Sequence, residues 1–207
     1  MLKWDYTLYL VTDRSYIGDR NLEDCVEEAI LGGATMVQLR EKTASSLDFY
    51  HLAVKIKGVT RKYQVPLMIN DRLDIALAID ADGLHLGQDD LPIEIARRYF
   101  GREKVIGISV STVEEALLAE KSGADYLGAG AVFPTGTKTD AKLVSLPELS
   151  LIKKAVKIPV VAIGGINETN ACDVFHTGID GLSVVSAILA RKDPRKASAE
   201  IKARITG

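Results

Sequence analysis

Apolar runs rich in Val, Ile and Leu return at intervals along the whole chain, at 8–12, 36–40, 67–70, 83–87, 105–109, 126–130, 160–165 and 181–186. Runs this short and this uniformly apolar suit parallel strands covered on both faces. The segments between them change period. "NLEDCVEEAILGG" opens on Asn21 as an N-cap, carries acids in its first turn and closes on Gly32-Gly33, which predicts a helix. "SLDFYHLAVKIKGVTRKY", "TVEEALLAEKSG", "SLPELSLIKKAV" and "NETNACDVFHTG" read the same way, the last with its helix beginning near Asn167. "DRLDIALAI" and "LPIEIARRYF" predict shorter helices, and "DPRKASAEIKARI" a final one. Similar helix-to-strand turns recur at uneven spacing, which disfavours a solenoid. Eight strand–helix units in 207 residues lie near the lower size limit of a TIM barrel, whereas a doubly wound sheet needs fewer strands. The expected fold is α/β, a single-domain (β/α)8 TIM barrel spanning residues 1–207.

One run departs from its own pattern. "MVQLREK" begins as a buried strand and then sets Gln38, Arg40 and Lys42 at alternating positions. Alternate residues share one face of a strand. In a barrel, such a row at a strand's C-terminal end lines the active-site mouth. The other strand ends add polar groups there: Asn70 and Asp71 in "IND", Asp90 in "GQDD", Ser109, then Thr135, Thr137 and Lys138 in "FPTGTK".

Composition narrows the classes of function. The chain is 47% hydrophobic and 26% charged with a formal net charge of −2, so it carries no global basic footprint for nucleic acid. Its first residues lack the pattern of a signal peptide, and no window holds 18 uncharged apolar residues, so the expectation is a cytoplasmic protein with no membrane partner. Cys25 and Cys172 lie far apart in helical patterns and read as small buried or half-buried side chains. His85 reads as a hydrogen-bonded residue near the barrel interior, and His51 and His176 as surface or half-buried. No nucleophile–His–acid set and no Cys/His metal spacing is present.

Two anion sites follow from the strand ends. Gly164, Gly165 and Ser186, after strands seven and eight, offer backbone amides at the starts of helices, where barrels often hold a phosphate. Arg40, Lys42 and Lys138 supply donors suited to phosphate oxygens. Asp71 and Asp90 are hard oxygen ligands of the kind Mg²⁺ accepts beside substrate phosphates. Three cations, one Mg²⁺ and two carboxylates sum to about +3, which would offset a diphosphate ester of roughly −2 to −3. Isolated surface salt bridges would account for any one of these residues but poorly for all of them at adjacent strand ends.

The ordered set "QLREK", "IND", "HLGQDD", "IGIS", "FPTGTK", "AIGG" and "VVSAI" resembles the thiamine-phosphate synthase family across strands two to eight. The resemblance implies a transferase that joins hydroxymethylpyrimidine diphosphate to a thiazole phosphate (or its carboxylated form), giving thiamine phosphate and diphosphate. It implies a pyrimidine diphosphate site at Gln38, Leu39, Arg40, Glu41, Lys42, Asn70, Ser109 and Lys138. Among these, Arg40, Lys42, Ser109 and Lys138 would be the catalytic set. It also implies one Mg²⁺ per subunit on Asp71 and Asp90, and a thiazole phosphate site at Thr135, Gly136, Thr137, Gly165, Val185 and Ser186. The partners implied are small molecules, with a homo-oligomer left open. Two departures are visible at Ala131. The family often has Pro before the "FPT" turn, and the related thiazole tautomerases place a histidine at the matching position, so a tautomerase reading loses its base here.

Overall fold

The computed structural model describes residues 4–136 and 142–206. All eight expected strands form: β1 (Leu8–Val11), β2 (Met36–Leu39), β3 (Leu67–Asn70), β4 (Gly83–Leu86), β5 (Val105–Val110), β6 (Tyr126–Gly130), β7 (Val160–Ile163) and β8 (Gly181–Val184). Each pairs in parallel with the next, and β1 pairs with β8, so the sheet closes into a TIM barrel. The helices between are α1 (Leu22–Leu31), α2 (Ser46–Lys62), α3 (Leu73–Ala78), α4 (Ile93–Phe100), α5 (Val113–Lys121), α6 (Leu146–Ala155) and α7 (Ala171–Phe175). After β8 come the short α8 (Ser186–Leu189) and the closing α9 (Pro194–Thr206). No described helix is long and apolar enough to cross a membrane.

The long helices start where a short polar side chain accepts an orphan amide. Asn21, Ser45, Thr112 and Ser145 each cap the helix that follows, bonding an amide two or three residues on. The helix expected near Asn167 begins only at Ala171. There the Asn167 side chain accepts from the Thr169 amide and the Asn170 side chain from the Asn167 amide, which holds the chain in turns instead.

Alternation along the strands divides the core in two. Leu8, Leu10, Val37, Leu39, Leu67 and Ile69 face outward into the layer under the helices. Tyr9, Met36, Met68, Tyr126 and Val161 fill the barrel interior, with Trp4, Tyr6 and Val105 packed against them from below. Cys25 is buried as expected, but Cys172 is exposed, because α7 is short and turns that face to solvent.

Candidate active site

Above the interior plug, the C-terminal ends of the strands enclose a cavity of about 630 Å³, a usual size for a small-molecule site. Its walls are the inward positions of every strand. Tyr9 and Val11, Gln38 and Arg40, Asn70, His85 and Gly87, Ser109, Gly128 and Gly130, Val161 and Ile163, and Ser183 and Val185 all line it.

Gln38, Arg40 and Lys42 line the cavity as a row, although β2 itself ends at Leu39. The two residues between them do not. Leu39 packs outward into the helix layer, and Glu41 forms a paired hydrogen bond with Arg14 at 2.8 and 2.7 Å. Only their backbones are left to serve a ligand in the cavity. Arg40 is held from two sides, its amide donating to Thr12 Oγ1 at 3.0 Å and its guanidinium pairing with Asp13 at 3.3 Å. Lys42 Nζ pairs with Asp71.

Asp71 sits at a positive φ of 60°, a conformation Asp tolerates better than most residues. Its amide donates to the His85 carbonyl at 2.8 Å, so the sharp turn after β3 is fixed by the neighbouring strand. Asp90 Oδ2 accepts from the Gly87 amide at 2.7 Å. Partial burial pushes the Asp90 carboxyl above its ordinary pKa, and the facing Asp71 carboxylate pushes it the same way. Two carboxylates that repel across a cavity wall are a donor set a hard divalent cation would relieve. Among the described residues no third acid, His or Cys joins them, which matches Mg²⁺ in sites where substrate oxygens and water complete the octahedron.

Asn70 is buried, lines the cavity, and has an Nδ2 with no hydrogen-bond partner. A buried amide without a partner is costly unless a ligand completes it. His85 is buried too, and both of its ring nitrogens are bonded within the barrel, Nδ1 to Tyr126 Oη at 2.8 Å and Nε2 to Ser109 Oγ at 2.9 Å. Burial lowers its pKa to about 4, against a smaller upward pull from Asp90, so it is neutral near pH 7.

On the opposite wall, Thr135, Gly165, Val185 and Ser186 line the cavity, and Gly136 lies beside it near the Tyr16 hydroxyl. Gly164 and Gly165 have φ of 106° and 63°, and a Cβ on either would stand 2.6–2.7 Å from Ala131 or Phe133. Only glycine lets this turn pass under the 131–134 loop. Thr137 and Lys138, expected at the site, lie outside the described residues.

A family model for "Thiamine monophosphate synthase" matches residues 8–188. The chain belongs to the thiamine monophosphate synthase family. It is 56% identical over 201 residues to the thiamine-phosphate synthase of Alkaliphilus oremlandii, covering 97% of this chain and 96% of that one. With the thiamine-phosphate synthase of Clostridium acetobutylicum it shares 59% identity over 186 residues, 90% of this chain and 88% of the relative. Among solved structures, the thiamine phosphate pyrophosphorylase from Pyrococcus furiosus superposes with a TM-score of 0.90 at 46% identity, over 98% of each chain.

The family's motifs as they stand here account for most of the cavity wall. Several lining residues lay outside the sequence reading: Tyr9, Ser183, Ser111, Glu115 and Lys142. Tyr9 lies inside the apolar run 8–12, where its hydroxyl is the available signal, since a buried phenol needs a partner. Lys142 sits beyond the motif, and its place is set by the Ala131 amide donating to its carbonyl at 3.0 Å.

Proposed function

We propose that the cavity at the barrel mouth is where this chain carries out its family's reaction, with the two substrates on opposite walls. As a member of the thiamine-phosphate synthase family, the chain is a transferase of thiamine biosynthesis, condensing hydroxymethylpyrimidine diphosphate with thiazole phosphate. The observation that carries the site assignment is the row Gln38, Arg40 and Lys42 facing the same cavity as Asp71 and Asp90. Cations and carboxylates together on one wall suit a diphosphate and its metal. Backbone amides at Gly165 and Ser186 on the other wall suit a monophosphate.

In this reading the C–O bond between the pyrimidine CH₂ and the diphosphate breaks, its electron pair leaving with the diphosphate. The thiazole nitrogen lone pair then forms the new C–N bond. Arg40, aimed by Asp13 and Thr12, and Lys42 would hold the leaving diphosphate and stabilise the charge it gains. Lys138 would join them. Asp71 and Asp90 would hold one Mg²⁺, which when bound supplies further charge neutralisation and a template for the diphosphate oxygens. Asn70, through its unpartnered Nδ2, and Gln38 and Ser109 would keep the pyrimidine in register. Thr135, Gly136, Thr137, Gly165, Val185 and Ser186 would anchor the thiazole phosphate, so that its nitrogen meets the CH₂ in line. No general base is needed. None is offered where a tautomerase would need one, since Ala131 lines the wall with a methyl group. Charged substrates of this kind do not cross a bilayer unaided, so the reading keeps the reaction in the cytoplasm.

The test mixes purified protein with both substrates, with Mg²⁺ or with EDTA, and follows thiamine phosphate as fluorescent thiochrome. Metal-dependent product is expected. Folded protein that binds both substrates and makes no product in either tube would overturn the reading.

A further inference from the structure

Below the cavity floor, four hydrogen bonds run in series through the barrel interior. Gln38 Nε2 donates to Tyr9 Oη at 2.8 Å, Tyr9 Oη meets Tyr126 Oη at 2.9 Å, Tyr126 Oη meets His85 Nδ1 at 2.8 Å, and His85 Nε2 meets Ser109 Oγ at 2.9 Å. Gln38, Tyr9, His85 and Ser109 line the cavity, whereas Tyr126 does not. We propose that Tyr126 is a positioning residue that acts through His85 to set which way the Ser109 hydroxyl points its hydrogen.

The order of donors follows from counting hydrogens. A phenol has one to give. Tyr9 already accepts from Gln38, and it is 1% exposed, so its hydrogen needs a buried acceptor. Among the described residues Tyr126 Oη is the partner in reach. Tyr126, itself fully buried, then has its own hydrogen for His85 Nδ1. That leaves Nδ1 bare and puts the imidazole hydrogen on Nε2, which donates to Ser109 Oγ. The hydroxyl hydrogen of Ser109 is thereby released from the protein and turned to the cavity. If Tyr126 donated to Tyr9 instead, the Tyr9 hydrogen would be stranded inside the barrel, which buried polar networks avoid. The same objection holds whether His85 is neutral or protonated.

The barrel is shaped around this chain. A Cβ at position 107 would stand 2.1–2.5 Å from the Tyr126 ring and hydroxyl, and one at position 128 would stand 3.0 Å from His85 Cε1. Gly107 and Gly128 leave room where the ordinary interior layer of a TIM barrel would place branched side chains. The consequence for chemistry rests on reading this wall as the pyrimidine diphosphate site. There Ser109 presents a donor to an acceptor atom of the bound pyrimidine substrate, and Gln38, its Nε2 engaged by Tyr9, presents its carbonyl.

The order is tested first by ¹⁵N NMR of histidine-labelled protein without substrates, with the His85 signal identified by its absence from the His85→Gln variant. The expected form is Nε2–H. An Nδ1–H imidazole would mean that the chain runs the other way, with the Gln38 amide turned over, and would overturn the proposal. The second test is kinetic. Tyr126→Phe keeps the ring and removes the hydrogen, so kcat/KM for the pyrimidine diphosphate should fall about tenfold, the size of one ordinary hydrogen bond. The KM for thiazole phosphate should not move. In a Ser109→Ala background the same change should add nothing. An equal loss on both backgrounds would make Tyr126 merely structural and overturn the proposal. An Nε2–H His85 in a protein without turnover would support the hydrogen-bond order and overturn only the functional reading.

Discussion

Arg40 and Asp71 show how a single side chain is prepared for a charged ligand. Arg40 lies partly buried with Asp13 on its guanidinium and Thr12 on its amide, so its planar fork is aimed before any ligand arrives. Lysine carries the charge but cannot reproduce a fork. Arg40→Lys is expected to lower kcat/KM for the pyrimidine diphosphate about tenfold or more, and an unchanged value in steady-state assays would make Arg40 a bystander. Asp71 is placed by a left-handed turn and faces Asp90. Asp71→Asn keeps the shape and removes the charge, so the rate should drop by roughly 100-fold or more and its Mg²⁺ dependence should weaken. Near-wild-type rates across a Mg²⁺ titration would sink the metal assignment. These residues were legible in sequence because unlike charges stood at successive strand ends. Asp13 was not, because nothing local to it says that it turns toward β2.

At the scale of elements, the hydrophobic period placed every strand, and the caps placed the long helices. Ser45 illustrates the second. Its Oγ accepts from the Asp48 amide at 3.1 Å and donates to the Asp48 carboxylate at 2.7 Å, closing the first turn of α2. Ser45→Ala should lower stability by about 1 kcal/mol, a Tm fall of about 2–4 °C by calorimetry, with turnover unchanged. A fall of the same size in turnover would mean that α2 reaches the site. Sequence reading was less successful after β7. There asparagines that suit a helix start bonded backbone amides locally and delayed α7 to Ala171. A side chain that can either cap or turn is decided by what packs on it, and here the glycine turn at 164–165 must first clear the 131–134 loop.

At the scale of the whole molecule, closure of eight strands takes His85 out of water. Its pKa of about 4 in the folded chain lies below the ordinary 6.5, so the native state resists protonation. As pH falls through 6.5 the unfolded chain takes up a proton that the folded chain refuses, and stability declines until pH reaches about 4. This group alone should remove about 3 kcal/mol between those limits. Urea unfolding at pH 7.5, 6 and 4.5 should show that loss, and His85→Gln should have a shallower pH dependence. Identical slopes for the two proteins would mean that His85 titrates normally.

By itself the sequence determined the barrel and the chemical kinds of group at its mouth. Period and capping are local properties, and the motif residues sit at strand ends whatever the register. Only the closed structure decided how those groups meet. It turned Leu39 and Glu41 away while Gln38, Arg40 and Lys42 face the cavity, and it set Asp71 against Asp90. It also brought Tyr9, Tyr126 and His85 within hydrogen-bond reach across as many as 117 residues of chain. Such contacts depend on the twist and stagger that close the sheet, and no stretch of sequence carries that geometry alone.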